Sequence, residues 1–525
     1  MRAADLLVVG TRVRTLDPAN PWAEAVAVVG DRIVALDDDA RALRGAGTEV
    51  VDLGGAVTTP GLVDGHMHPL FGAAAFHGTD LSRCRDLADV RAALSGATPD
   101  ADGWVVGWGL DHNVFAGAVP TNAVLEEALP GRPVFVRLYD GHSALASVEA
   151  LRRAGVTGPR EFAQRAEIVC GADGTPTGFL LEDAAMSVVM DAMPAIPAAN
   201  LRARLGEVLR GMARTGLTAG HMMDAEADAL EVLAGYEETE ELPVRLRVAP
   251  WCRPGDEVEP LIALQARHGR RWAVQAVKFF IDGTVEGGTA WLEHPDCHGQ
   301  GQHAFWRDPA AYTKAVQQLA AAGVQTATHA IGDAGVRHVV ESLENVETHG
   351  VRHRIEHLET LPHDLVGRVV GSGLVASMQP SHTAYTKADH TDEWSLRLGA
   401  ERAGRAWVCR DVRDAGGVLV LGSDWPIAHY DAREVLGFAR LRRQPGSTAA
   451  PVLPEQGLTG SMALEGMTSH AAIVEGDAYA GRVAVGCRAD LTAFTLDPVD
   501  APADEVAEAP IALTVSGGRV THRLG

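Results

Sequence analysis

Six polar side chains stand at or near the ends of apolar runs, and their types suit a metal centre. Residues 59–69 read Thr-Pro-Gly-Leu-Val-Asp-Gly-His-Met-His-Pro. On a strand, side chains two apart share a face, about 6–7 Å from each other. His66 and His68 therefore converge on one cation while Met67 turns away. Neutral imidazole suits zinc and similar metals. An H-x-H pair alone also fits two surface or core histidines; the apolar strand before it singles this one out.

Lys278 lies in Val-Gln-Ala-Val-Lys-Phe-Phe-Ile-Asp-Gly, residues 274–283. An ammonium is costly to bury among such neighbours. Either it snorkels out or pairs with Asp282, or its charge is removed. Carbon dioxide adds to a neutral lysine amine and gives an N-carboxylate that can bridge two metals. Arginine cannot do this, which gives a reason for a lysine in a chain whose only lysines are Lys278, Lys314 and Lys387. His329 closes the run Val324–Thr328, and His357 follows Arg354-Ile355-Glu356. Each alone reads as a packed histidine; at the ends of consecutive strands they read as a site, because barrel active sites lie there. Asp424 follows the apolar run that starts at Val418. A carboxylate there either caps a helix or meets a cation. As a ligand it would also take the proton from the attacking water.

The elements that must position these groups are strand-like runs alternating with amphipathic helices such as Pro309–Ala322 and Ala334–Val346. The runs are Gly61–Gly65, Leu217–Met222, Val244–Val248, Val274–Ile281, Gln325–Thr328, Arg354–Glu356, Leu374–Met378 and Val418–Gly422. Eight of them favour an α/β fold of the (β/α)8 TIM-like barrel type over an open sheet. In that order His66 and His68 end strand one, Lys278 lies on four, His329 ends five, His357 ends six and Asp424 ends eight. All then face one mouth.

Residues 59–474 are expected to form this barrel. Residues 1–58 and 475–525 read as short strands, with turns at Gly30-Asp31 and Gly517-Gly518. Neither end has the apolar surface to stand alone, so one small composite β-sandwich from both termini is expected. About residues 70–199 follow the first strand and are too long for a βα loop. They read as an inserted subdomain with a strand at Pro133–Leu138, helices at Asn122–Leu129 and Ser143–Ala154, and a hairpin near Gly171–Leu181. Leaving the barrel at its C-terminal face, this insert would serve as lid and substrate wall.

The formal net charge of -23 argues against nucleic acid or an anionic membrane as partner. No apolar run is long enough to span a bilayer, and no signal peptide is visible. The six cysteines form no C-x-x-C pair. The expected setting is the reducing cytoplasm.

These segments resemble the amidohydrolase superfamily. Ala4-Asp5-Leu6, the Pro60–His68 motif and Gly486-Cys487-Arg488-Ala489-Asp490-Leu491 are typical of it. Within it the chain is similar to the amidohydrolase 3 branch that includes N-substituted formamide deformylase. That likeness rests on Asp140-Gly141-His142-Ser143, Gly174–Gly178, Val277–Gly283, Thr328–Asp333, Ile355-Glu356-His357 and Gln379-Pro380-Ser381-His382. The resemblance implies two divalent metals, usually zinc. It places His66, His68 and Asp424 on one and His329 and His357 on the other, bridged by N-carboxylated Lys278. It implies hydrolysis of a C–N amide-type bond (formamide, N-acyl or cyclic amide, not peptide) by metal-activated hydroxide, with Asp424 as the catalytic proton carrier. Ester, carbamate or lactone hydrolysis or deamination on the same site is the alternative, with an inactive binding protein behind it. The partner is a small molecule, and a homodimer is a fair expectation for the class. Substrate contacts are expected from Trp108, His142, Asp282, Gln379, His382 and Trp425, and from His221 at the end of strand two.

Overall fold

The computed structural model describes residues 2–226 and 228–525. Its fold is mixed α/β, centred on two parallel sheets whose strands follow chain order. One holds β1 (Leu62–Met67), β2 (Leu217–Ala225), β3 (Arg245–Pro250) and β4 (Trp272–Val274). The other holds β5 (Ala276–Phe280), β6 (Gln325–Ala330), β7 (Arg354–His357), β8 (Val375–Met378) and β9 (Leu419–Leu421). Every expected central strand is present. The fourth is split at Gln275, its first part pairing with β3 and its second with β6. The two sheets meet at isolated parallel bridges, Trp251 with Lys278 and Met67 with Trp425. Among the described residues no longer ladder crosses either seam.

The strands read as apolar runs because helices cover them. Helices Pro309–Ala321, Asp333–Leu343 and His363–Gly371 connect β5 to β8 in turn, as parallel pairing requires. Alternation along β7 shows the division of faces: Ile355 joins the large apolar core, while Arg354 and Glu356 pair with each other at 2.5 Å on the other face.

Both chain ends contribute to a third sheet, where Glu49–Pro60 pairs with Leu491–Phe494. Its eight strands form one hydrogen-bonded network. Leu6 and Val8 join one apolar cluster and Leu7 another, so both faces are covered. The segment between β1 and β2 carries a six-stranded sheet that includes Val105–Leu110, Val134–Leu138 and Ser143–Ala146. Ser143–Ala146 was expected as the start of a helix. It is a strand because neighbours bond it on both edges, and such pairing overrides weak local preference. The helix starts at Val148, with the Ser147 hydroxyl accepting from the Ala150 N–H. No helix among the described residues is long and apolar enough to cross a membrane.

Candidate metal centre

β1 delivers His66 fully buried at its end, with both ring nitrogens engaged. Nδ1 lies 2.6 Å from Glu356 Oε2. Nε2 faces Lys278 Nζ at 3.3 Å and Asp424 Oδ1 at 3.3 Å. A carboxylate at Nδ1 fixes the proton there and leaves the Nε2 lone pair free. His68 Nε2 lies 2.9 Å from Asp424 Oδ1, and its Nδ1 lies 3.7 Å from Asp224 Oδ2. The His357 ring centroid lies 4.7 Å from that of His66 and 4.4 Å from that of His329. The structure thus brings His66, His68, Lys278, His329, His357 and Asp424 to one place. The tightest trio, with ligand atoms within 4.8 Å of one another, is His66, His357 and Asp424.

His357 and Asp424 have φ of 76° and 58°. Left-handed backbone at residues other than glycine costs of order 1–3 kcal/mol and gathers at functional sites. The reversal at each strand end re-aims the side chain that follows it.

These groups fit a cation. His357 Nδ1 is buried without a hydrogen-bond partner, and Asp424 Oδ1 meets the His68 ring at 2.9 Å without an aligned hydrogen bond. Such orphaned acceptors are expensive unless something positive sits among them. Burial drives His66 down to about 3 and holds His329 and His357 well below the ordinary imidazole range. All three are neutral, as ligands must be. Burial also opposes charge on His68, but Asp224 and Asp424 outweigh it and hold that ring at about 9. A bound cation would replace its proton. Burial would raise Asp424; the facing His66 and His68 pull it well below the carboxylate range instead. Burial lowers Lys278 to about 8, despite Glu356 and Asp424 nearby. Lys278 forms no ion pair with Asp282. That carboxylate instead accepts from the N–H groups of Ile331, Gly332 and Trp291.

The centre opens into a cavity of about 290 Å³ lined by His68, His142, Lys278, His329, His357 and Asp424 among others. Of the expected substrate contacts, His142 lines it, its Nδ1 held 2.8 Å from Glu182 Oε2. His382 reaches Asp424 from a smaller neighbouring cavity, Nε2 to Oδ2 at 3.5 Å. The remaining five do not line the main cavity. Asp282 is the structural acceptor just described. Gln379 is fully buried with both amide atoms unpartnered. Trp108 packs on Phe76 at 4.7 Å. Trp425 lies so close to Gly72 that a β-carbon there would come within 2.1 Å of its ring. His221 sits deeper, between Arg354 and Glu475, because β2 continues to Ala225. Irregular register between Met222 and Ala225 instead sends Asp224 to the cavity. Sequence reasoning missed Asp224, Glu356 and Glu182. For Asp224 and Glu356 the only signal was an acid within or just after a strand that already carried a candidate; Glu182 follows the strand Pro176–Leu181, which carried none.

Parallel strands in chain order, with buried imidazoles and a carboxylate converging at their ends, define an α/β protein with a candidate metal centre. The chain matches the amidohydrolase family over residues 49–522 and belongs to it. It is 26% identical to LONG AFTER FAR-RED 3 of Arabidopsis thaliana, over 98% of this chain and 91% of that protein. It is 25% identical to the N-substituted formamide deformylase of Arthrobacter pascens, over 98% and 97%. The fold is shared with an uncharacterized metal-dependent hydrolase of Pyrococcus horikoshii (TM-score 0.75, 19% identity, 95% of this chain and 99% of that one). It is also shared with zinc-bound atrazine chlorohydrolase TrzN of Arthrobacter aurescens (TM-score 0.53, 16% identity, 98% and 94%).

Proposed function

We propose that this protein is a metal-dependent hydrolase that cleaves a C–N amide-type bond in a small molecule, with N-substituted formamides the first class to test. The observation that carries this reading is the convergence of buried ligand atoms of His66, His357 and Asp424 within 4.8 Å of one another, with His357 and Asp424 in the cavity wall. The formamide deformylase likeness along the chain supports the bond type. His66, His68 and Asp424 would hold one divalent ion, zinc being the first choice. His329 and His357 would hold a second, with N-carboxylated Lys278 between them. Ions held there would supply a water of lowered pKa and a Lewis acid for a carbonyl.

The chain's own groups do the rest. Glu356 keeps the His66 proton on Nδ1. Asp424 takes the proton of the attacking water and passes it to the leaving nitrogen. His142, braced by Glu182, donates towards the carbonyl oxygen as negative charge develops. Carboxylation of Lys278 forms one N–C bond with carbon dioxide and releases one proton. The lowered amine pKa makes the neutral nucleophile available near neutral pH.

The test is hydrolysis of N-alkylformamides by purified protein. Formate and amine should appear in equal amounts, stop on chelation and return with zinc. Reconstitution with bicarbonate should recover more activity than reconstitution without it. Protein that carries no transition metal, or that works unchanged in chelator, would overturn the reading.

A further inference from the structure

A cation stands unpaired in the wall of the same cavity. The strand Val134–Leu138 reads Val-Phe-Val-Arg-Leu and is buried throughout. Arg137, its one charged residue, is 6% exposed and lines the cavity with His68 and Asp424. Its guanidinium stacks 4.8 Å from the Phe71 ring centre and 5.5 Å from that of Phe135. Phe71 in turn lies 6.4 Å from the His68 ring. The cation is therefore two contacts from the metal centre.

Among the described residues its N–H groups reach only thioether sulfurs, Met190 at 2.8 Å and Met186 at 3.8 Å, which are weak acceptors. Among the described residues no carboxylate is in ion-pair contact with it. Asp183 attracts it from farther away but lies 3.6 Å from Arg253. The two other deeply buried arginines are satisfied. Arg354 pairs with Glu356 and donates to Ser377 Oγ. Arg442 donates to the carbonyls of Val452, Trp407 and Ala406. Burying a cation without such partners is costly, and Arg137 stands where a ligand could supply them.

We propose that Arg137 anchors a carboxylate of the substrate, so that the enzyme acts on amides bearing an acid group at the end remote from the scissile bond. This rests on the hydrolase reading above. The planar guanidinium fork matches a carboxylate through two parallel N–H···O bonds. Phe71, Met186 and Leu201 line the space beside it and suit an apolar spacer. Elsewhere the lining disfavours an anion. Asp183, Asp224, Glu226 and Asp228 face the cavity, and the second lining arginine, Arg253, is already held by Glu226 and Asp183. One orientation follows, with the acid at Arg137 and the amide towards His68 and Asp424.

The test compares an ω-formylamino carboxylate with its methyl ester on the metal-loaded enzyme. The wild type should favour the acid in kcat/KM. Arg137→Met should lower the acid-to-ester ratio by about 30-fold, mainly through KM, the size expected for a lost charge-assisted pair. Arg137→Lys keeps the charge without the fork and should fall between; it gives the same reading if the Met variant folds poorly. Calorimetric titration with hexanoate needs no turnover, and hexanamide is its neutral control. Hexanoate should bind Arg137→Met about tenfold more weakly, with hexanamide binding alike. Equal hexanoate binding by both proteins, or an ester preference in the wild type, would overturn the anchor. If neither formamide is cleaved while hexanoate binding still depends on Arg137, the hydrolase reading fails and the anion site stands.

Discussion

His66 can act as a ligand only while its other nitrogen is spoken for. Glu356 does this at 2.6 Å and is itself gripped by Arg354 at 2.5 Å and 3.0 Å. Glu356→Gln keeps the shape and removes the charge that fixes the tautomer. Zinc affinity should fall about 10–100-fold, measured by competition with a chromophoric chelator, and excess zinc should recover part of the activity. Asp424→Asn tests proton transfer at the same scale: kcat should drop by about 10²–10⁴ while elemental analysis still finds metal. A near-wild-type rate with metal bound would refute the role. The six ligand-type residues were legible in the sequence because each stands on or just after an apolar run. Glu356 was not, because a strand acid whose partner lies 290 positions away looks like any other polar residue. Arg137 was equally silent, since sequence does not tell an unpaired arginine from a paired one.

Strand β7 carries His357, and its foot rests on a histidine that must stay neutral. His353 is 1% exposed, and its Nδ1 accepts from the Thr326 N–H at 3.2 Å. Burial lowers its pKa from 6.5 to about 4. The unfolded chain therefore binds this proton below about pH 6.5 and the folded chain only below about 4. Between those values the unfolded state holds more protons, so stability falls as pH drops through the window, by up to about 3 kcal/mol. His353→Asn keeps a side-chain acceptor and removes the titration. Urea midpoints taken across the window should slope less in the variant; an unchanged slope would place the acid sensitivity elsewhere. Strand positions were readable at this scale because helix-covered parallel strands are continuous apolar runs. Strand ends were less readable. The extension of β2 to Ala225, with its irregular register, exchanges His221 for Asp224 at the cavity. Ser143–Ala146 became a strand through partners that no local pattern announces.

The union of the two chain ends was foreseeable from their shortage of apolar surface, but their attachment to the central sheets was not. Helix Ser469–Glu475 makes part of it: Glu475 accepts from His221 at 2.9 Å and Arg247 at 3.3 Å, and its carbonyl accepts from Gln275, where the fourth strand is split. Asp490 makes the other part. Its carboxylate pairs with Arg245 at the start of β3 and accepts from Gly517 N–H at 2.7 Å, while its carbonyl accepts from Gly61 N–H at 2.8 Å, next to β1. One residue thus joins the terminal sheet to β3 and to the start of β1, the strand that ends at His66 and Met67. Asp490→Ala strands a largely buried guanidinium and a main-chain donor, which should cost about 2–3 kcal/mol. Asp490→Asn keeps an acceptor for Gly517 and should lose less. Because the contact spans both parts, the loss should lower one shared transition. Zinc release, followed with a metallochromic dye, and far-UV circular dichroism should move together to lower urea. A terminal sheet that melts first while zinc stays bound would show that the metal centre stands without it.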